Sequence, residues 1–326
     1  MNGRYIFLGV TIIPFYILIA VVSVHKINKL AIFEIGDSQE NIGAQENSSF
    51  GESELIEDIY ECSKDVKIGE LGQFKQIYII SSKGSGNTWT RQLLQSLTGF
   101  YAGGVYHEIS ADLDTDELYE QSPFPGEHFS PDSGMVLGIK SHNTRGAKVA
   151  DAAVLVMRNP YDMLKAEFTR RTSQRQTGDG QSAHTGTVSV DLFRSDKWRH
   201  FVVNTAKYWK KFYKEMIEIL TSRGKKFHIL YFDALKKDKI AEMKTFYAFL
   251  QEEAGENFKV ENVEERLKCI ADQNLDKYKR KKQEIDFDLF LSDEIELINL
   301  FIEEYKEFFD QKGIRYPSEI IDAWLK

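Results

Sequence analysis

Several things are scarce in this chain, and each scarcity excludes a class. Among 326 residues there are 2 cysteines, Cys62 and Cys269, and 6 prolines. Two thiols exclude a disulfide-dense scaffold and a four-cysteine zinc site, and permit at most one bridge. With 42% hydrophobic and 28% charged residues, collagen-like, low-complexity and wholly disordered chains are excluded as well. Positive charge is not in excess: 42 Lys and Arg stand against 50 Asp and Glu, a net charge of −8. Coating nucleic acid by bulk charge is therefore excluded, and only a local basic pocket is left as an anion site. No internal repeat is present. The length allows one large α/β domain or two small ones, either with a sizeable core.

Charge is also missing altogether from Tyr5 to Val24, YIFLGVTIIPFYILIAVVSV. About 20 apolar residues match the hydrocarbon thickness of a bilayer, and Pro14 is tolerated in such a helix. The run exceeds the roughly 7–15 residues of a signal-peptide core, and no small-x-small cleavage site comes after it. The prediction is an uncleaved anchor over residues 5–24, behind a short tail of residues 1–4. Arg4 precedes the span and Lys26 and Lys29 come after it, so the flanking charges leave its orientation open. Residues 25–75 are expected to be a stem; residues 27–75 carry nearly all of the net negative charge, and their early part, GDSQENIGAQENSSFGESE, reads as a solvated acidic spacer. Asn47-Ser48-Ser49 is an N-glycosylation sequon within it.

The globular part is expected over residues 76–326. Gln76–Ser81 is a short apolar run of β-formers, leading to Lys83-Gly84-Ser85-Gly86-Asn87-Thr88 and a helical pattern from Thr88 to Thr98 that Gly99 would stop. Strand, glycine-rich loop and helix form an anion cradle, in which backbone N–H groups and the helix N-terminus face a phosphate. A tight βα turn without a ligand has the same local pattern. The loop is not a Walker A motif, because Gly86 is succeeded by Asn87 where that motif requires Lys. Trp89 supplies a flat face beside it. A second strand, Met135–Lys140, leads to Ser141-His142, and alternation puts Lys140 and His142 on one face, suited to base chemistry with a cation alongside. The third strand, Ala152–Met157, runs into Arg158-Asn159-Pro160, with Asn159 as helix cap, Pro160 in the first turn and a helix to about Arg171. Arg158 thus stands at the carboxyl end of a strand, where α/β sheets present ligand-binding groups, either as an anion fork or paired to Asp162. Phe227–Phe232 is a fourth strand, ending at Asp233. Helices are expected over 204–222, 239–251, 263–271 and 292–311, with Trp209, Phe212, Phe246 and Phe249 as core. Residues 172–194 read as a long polar loop, a candidate lid.

In this order the motifs resemble those of the sulfotransferases that use 3′-phosphoadenosine 5′-phosphosulfate (PAPS). Ser82-Lys83-Gly84-Ser85-Gly86-Asn87-Thr88-Trp89 is similar to their 5′-phosphosulfate loop, Ile139-Lys140-Ser141-His142 to their I-K-T-H strand end, and Arg158-Asn159-Pro160-Tyr161-Asp162 to their R-N-P-x-D motif. Ile229–Leu250 resembles the segment that begins L-Y-E-D-L. The greatest likeness is to the WSC-domain-containing sulfotransferase-like proteins, through S-G-N-T-W, Ala166-Glu167-Phe168, the Trp198–Trp209 stretch, and Cys269 with the later Tyr278-Lys279-Arg280. No cysteine-rich WSC domain fits before Gln76.

The resemblance implies an α/β fold, a P-loop-like three-layer sandwich with a central parallel sheet flanked by helices behind one N-terminal transmembrane helix. It implies a PAPS-dependent sulfotransferase acting on a hydroxyl of a glycan or similar acceptor, with no metal and no nucleic acid. The site it implies has His142 as general base with Lys140 and Lys83 assisting. Gly84, Ser85, Gly86, Asn87, Thr88, Trp89, Arg158, Phe232, Lys279 and Arg280 would hold the nucleotide, the Ser85 and Thr88 hydroxyls included. It further implies a Golgi, single-pass type II glycoprotein with a cytoplasmic tail and a lumenal catalytic domain, where Cys62 and Cys269 could pair. The sequence departs from the pattern in three places. The family's loop lysine falls at Gly84 with Lys83 one position away, the serine eight residues after the arginine is Ala166, and the late R-K-G reads Lys279-Arg280-Lys281-Lys282. A small-molecule kinase on the same cradle and an inactive glycan-binding relative are the rival readings.

Overall fold

A computed structural model describes residues 65–106, 124–177, 186–272 and 283–326, all within the compact unit Phe50–Lys326. The expected anchor over 5–24, most of the stem, Asn47, Cys62, Lys279 and Arg280 lie outside the described residues. Among the described residues no helix is long and apolar enough to cross a membrane.

Five strands form one all-parallel sheet in the order β2-β3-β1-β4-β5. They are β1 (Ile77–Ile80), β2 (Gly103–Gly104), β3 (Ile139–Ser141), β4 (Ala152–Met157) and β5 (Lys226–Tyr231). Pairing runs Tyr78 with Ile139 on one side of β1 and Tyr78 with Ala153 on the other. Strands buried on both faces read as continuous apolar runs rather than alternating ones, which is why IYII and AAVLVM are legible as strands.

Alternate residues of each strand feed two separate cores. Tyr78, Ile80, Ala153, Leu155 and Met157 pack under the helices α2 (Thr144–Val149), α3 (Pro160–Thr177), α4 (Asp196–Ser222) and α8 (Ser292–Lys312). Ile77, Ile79, Ala152, Val154 and Val156 pack under α1 (Asn87–Thr98), α6 (Lys239–Glu253) and α7 (Val263–Asp272). The short helices α5 (Phe232–Lys237) and α9 (Ser318–Asp322) complete the elements that bear on the site. Helices on both faces of a parallel sheet give the expected three layers. Trp209, Phe212 and Phe246 are core residues as expected, while Phe249 is only half-buried and stacks on His228 at 5.7 Å.

Several boundaries differ from the sequence reading. The second strand shortens to Ile139–Ser141, because the chain is still turning through Gly134 and Gly138, both at positive φ. Phe232 opens α5 rather than closing β5. The helix after Arg158 runs on to Thr177, so residues 172–177 are not loop. Thr172 and Ser173 are buried, and the polar segment is carried as a continuation of the turns that seat Tyr161, Leu164 and Phe168 in the core.

Candidate functional site

The carboxyl ends of β1, β3, β4 and β5 open onto one cavity of about 250 Å³. Its walls are Lys83, Gly84, Gly86, Asn87, Thr88 and Trp89 after β1, Lys140 and His142 at β3, and Arg158 after β4. Ala166 and Arg170 of α3, Phe232 after β5, and Tyr106 complete it. The topology thus brings together, from four separated stretches, ten of the residues predicted from sequence.

The loop after β1 is built for close approach. Gly86 caps α1 with φ 94° and ψ 21°, and a Cβ there would stand 2.3 Å from the Phe232 ring. A Cβ on Gly84 would stand 2.8 Å from the Met163 carbonyl. Only backbone can occupy these positions. The first N–H groups of α1 have no intrahelical partner, and no acidic side chain sits in its first turn to compete for them. Asn87 anchors the loop rather than facing the cavity with its amide: Nδ2 donates to the Ile79 carbonyl at 3.0 Å and to Ser81 Oγ at 3.2 Å. Ser85 is a correction. Its N–H donates to the Ser82 carbonyl and its hydroxyl lies 2.8 Å from Ser82 Oγ and 3.2 Å from Tyr213 Oη, behind the loop, so neither group points at a ligand. Thr88 does line the cavity.

At the β4 end, Arg158 donates through Nη1 to the Gly84 carbonyl at 3.0 Å, pairs with Asp162 at 3.7 Å, and lies 4.5 Å over the Phe232 ring. Its Nε is buried with no partner. Arg158 is thus paired to Asp162 and also lines the cavity. Phe232 meets Trp89 edge-on at 5.2 Å, which makes an aromatic wall beneath the guanidinium. The turn is held from behind, where the Asn159 N–H and the Trp324 indole N–H both donate to Asp233 Oδ2.

At the β3 end, His142 Nδ1 lies 2.8 Å from the Ser81 carbonyl. A carbonyl only accepts, so Nδ1 carries the proton and Nε2 keeps its lone pair. The Tyr106 hydroxyl accepts the His142 backbone N–H at 2.7 Å, and the two rings stack at 5.8 Å. Burial pushes the imidazole pKa from its ordinary 6.5 down to about 3, and Lys140, Lys83 and Arg91 add to this against the opposing Ser81 carbonyl. The ring is neutral at any physiological pH. Lys140 is nearly buried, with Nζ 4.0 Å from Glu127, whose carboxylate is paired to the fully buried Arg91.

Sequence reasoning missed Tyr106, the Arg91–Glu127 pair and Arg170. Arg170 stands one helical turn after Ala166, and Glu167 fixes its guanidinium with two bonds of 2.7 and 2.8 Å. The spacing Asp162, Ala166, Arg170 along one helix face was the available signal. Cys269 is disulfide-bonded, and the chain's other cysteine, Cys62, lies outside the described residues.

Among the described residues the cavity wall carries cations, backbone donors, aromatics and no carboxylate. Such a wall, at the carboxyl edge of a parallel sheet, has the chemistry that suits an anionic, ring-bearing ligand. No family model matches the chain. It is similar to WSCD family members of three insects. The Drosophila pseudoobscura pseudoobscura protein is 28% identical over 236 residues, 71% of this chain and 65% of that one. Those of Aedes aegypti and Drosophila melanogaster are each 28% identical, over 213 and 217 residues, with 64% of this chain and 58% of theirs covered. The chain thus spans about three-fifths of the length of the curated relatives it matches. Among solved structures, mouse sulfotransferase complexed with PAP aligns at a TM-score of 0.38 and 12% identity, over 85% of this chain and 94% of that one.

Proposed function

We propose that the protein moves a sulfuryl group from PAPS to a hydroxyl of a glycan or similar acceptor. The observation that carries this reading is the pairing of two features in one cavity: an imidazole in its wall whose Nε2 keeps its lone pair, and an anion cradle with a partnerless buried guanidine nitrogen. The likeness to WSCD family members supports it.

The residues present fit a doubly anionic nucleotide. The N-terminus of α1 and Lys83 would hold the 5′ end, Arg158 and Arg170 the 3′-phosphate, and Trp89 with Phe232 the base. Arg170 would take the place left by Ala166. On the acceptor side, His142 Nε2 takes the hydroxyl proton as that oxygen bonds to sulfur and the sulfur–oxygen bond to the 5′-phosphate breaks; Lys140 faces the charge that builds on the equatorial oxygens. An anion beside Lys83 and Lys140 offsets their repulsion of a proton on His142 and so strengthens the base when the donor is bound.

Two variants separate the roles. His142→Ala should cut transfer by about 10²–10⁴-fold and leave affinity for adenosine 3′,5′-bisphosphate nearly unchanged. Arg158→Ala should weaken that affinity, and omission of the 3′-phosphate should then cost the variant much less than the wild type. Titration calorimetry beside a labelled-PAPS transfer assay reads both. Loss of nucleotide binding in His142→Ala, or wild-type affinity in Arg158→Ala, would overturn the assignment.

A further inference from the structure

Beneath the cavity, outside its wall, one hydroxyl joins the two loops that carry its two anion sites. Tyr213 of α4 is fully buried. Its Oη donates to the Val156 carbonyl, the strand position two residues before Arg158. It accepts the Ser82 backbone N–H at 3.2 Å and stands 3.2 Å from Ser85 Oγ and 3.3 Å from Ser82 Oγ. The two serine hydroxyls are themselves 2.8 Å apart. The donors and acceptors close: Ser82 Oγ–H gives to Ser85 Oγ, Ser85 Oγ–H and the Ser82 N–H give to Tyr213, and Tyr213 gives to Val156. Burial holds the phenol in its protonated form, so the donor to Val156 is always present.

The consequence is geometric. The glycine-rich loop and the Arg158 turn leave neighbouring strands whose ladder ends at Ile80 paired with Leu155, and beyond that pair their separation is set at two levels: above by Arg158 Nη1 on the Gly84 carbonyl at 3.0 Å, below by Tyr213. The upper tie is made by the very side chain that would engage a ligand, so it is subject to change on binding. The lower tie is not. We infer that Tyr213 is a positioning residue that sets the spacing between the two anion sites, and so makes the cavity selective for a ligand carrying anionic groups at that separation. The inference rests on the nucleotide reading above.

A ligand held at two points gains from the fixed distance between them, whereas a ligand held at one point does not. The test is calorimetric titration of the folded full chain and its Tyr213→Phe variant with adenosine 3′,5′-bisphosphate, adenosine 5′-monophosphate and adenosine 3′-monophosphate. Phenylalanine keeps the ring packing against Trp209 and Phe212 and removes the tie. The bisphosphate should lose about tenfold in affinity and each monophosphate less than about threefold, because only the bisphosphate uses the spacing. A residue that merely supports the fold would weaken all three alike. Ser85→Ala, which deletes one donor to Tyr213 together with the acceptor of the Ser82 hydroxyl, should give the same pattern at about threefold, and decides the matter if Tyr213→Phe does not fold. Equal losses for all three ligands, or none, would overturn the inference while leaving the donor reading intact. Failure of the wild-type protein to favour the bisphosphate over the monophosphates would overturn both.

Discussion

Replacing Gly86 with alanine perturbs the cradle in two separable ways. The first is conformational: φ 94° lies in the left-handed region, where an L side chain costs about 1–2 kcal/mol. The second is steric. The new Cβ would sit 2.3 Å from Cδ2 and Cε2 of Phe232, against an ordinary carbon–carbon contact of about 3.5–4.0 Å, so the ring must retreat by more than about 1 Å. That ring lies under the Arg158 guanidinium and against Trp89, and each of these contacts is worth roughly 0.5–1.5 kcal/mol. The total is about 2–5 kcal/mol, a fall of roughly 5–15 °C in Tm for a domain of this size. Gly72→Ala is the control, since Gly72 has φ 75° with nothing within 4 Å of its would-be Cβ and so incurs strain without a clash. A thermal-melt cycle over Gly86→Ala, Phe232→Ala and the double variant reads the steric part as coupling. The double variant should be less destabilised than the sum of the singles by about 1–3 kcal/mol. Additive losses, or a Gly86→Ala melt no lower than that of Gly72→Ala, would refute the reasoning.

Buried charge gives two further expected outcomes. Burial pushes the His142 and His228 pKa values down to about 3 and about 4, so both rings stay neutral in the folded chain while the unfolded chain takes up protons near pH 6.5. Stability should be level above that pH and fall by up to about 1.4 kcal/mol per pH unit per histidine as acid is added through the window from 6.5 toward 4. His228→Phe, at a ring that stacks on Phe246 and Phe249 with no hydrogen bond to lose at Nε2, should make this acid limb shallower in urea melts; an unchanged limb would refute the assignment. Glu127→Gln should cost about 3–5 kcal/mol by leaving the Arg91 guanidinium buried without its carboxylate. Arg91→Met combined with Glu127→Leu should recover most of that loss, and a double variant as unstable as the single would show that the site needs the charges.

Legibility in the sequence is confined to what is local. β1, the loop and α1 are contiguous, as are β4, Arg158 and the helix that Asn159 caps, so their residues can be placed on strand ends without knowledge of the fold. Individual strands and helices are read from apolar runs and amphipathic spacing, while the fold class is what the resemblance of the ordered motifs implies. What escapes is made by chain separation. Tyr213 reaches Ser82 across 131 positions and Glu127 reaches Arg91 across 36, and no pattern in either stretch announces the partner. Ser85 suits an anion by its residue type, yet the structure spends its hydroxyl on Tyr213 instead. Residues 172–177 read as loop because they lack apolar spacing, although a helix once seated by Tyr161–Phe168 extends through polar residues at little cost.

The strand order has a consequence for how the chain can change. β1, earliest of the described strands, lies in the middle of the sheet, with β2 and β3 laid out on one side of it and β4 and β5 on the other. Tyr106 and Glu127, which bear on His142 and Lys140, come from the connection between α1 and β3. Arg158, Arg170 and Phe232 all come from later in the chain. On the proposed reading, the residues that bear on the base come from the α1–β3 connection, while the donor is held from the loop after β1 and again from β4 onward. Rewriting residues 99–138 would address one side of the reaction while leaving the other side's wording intact.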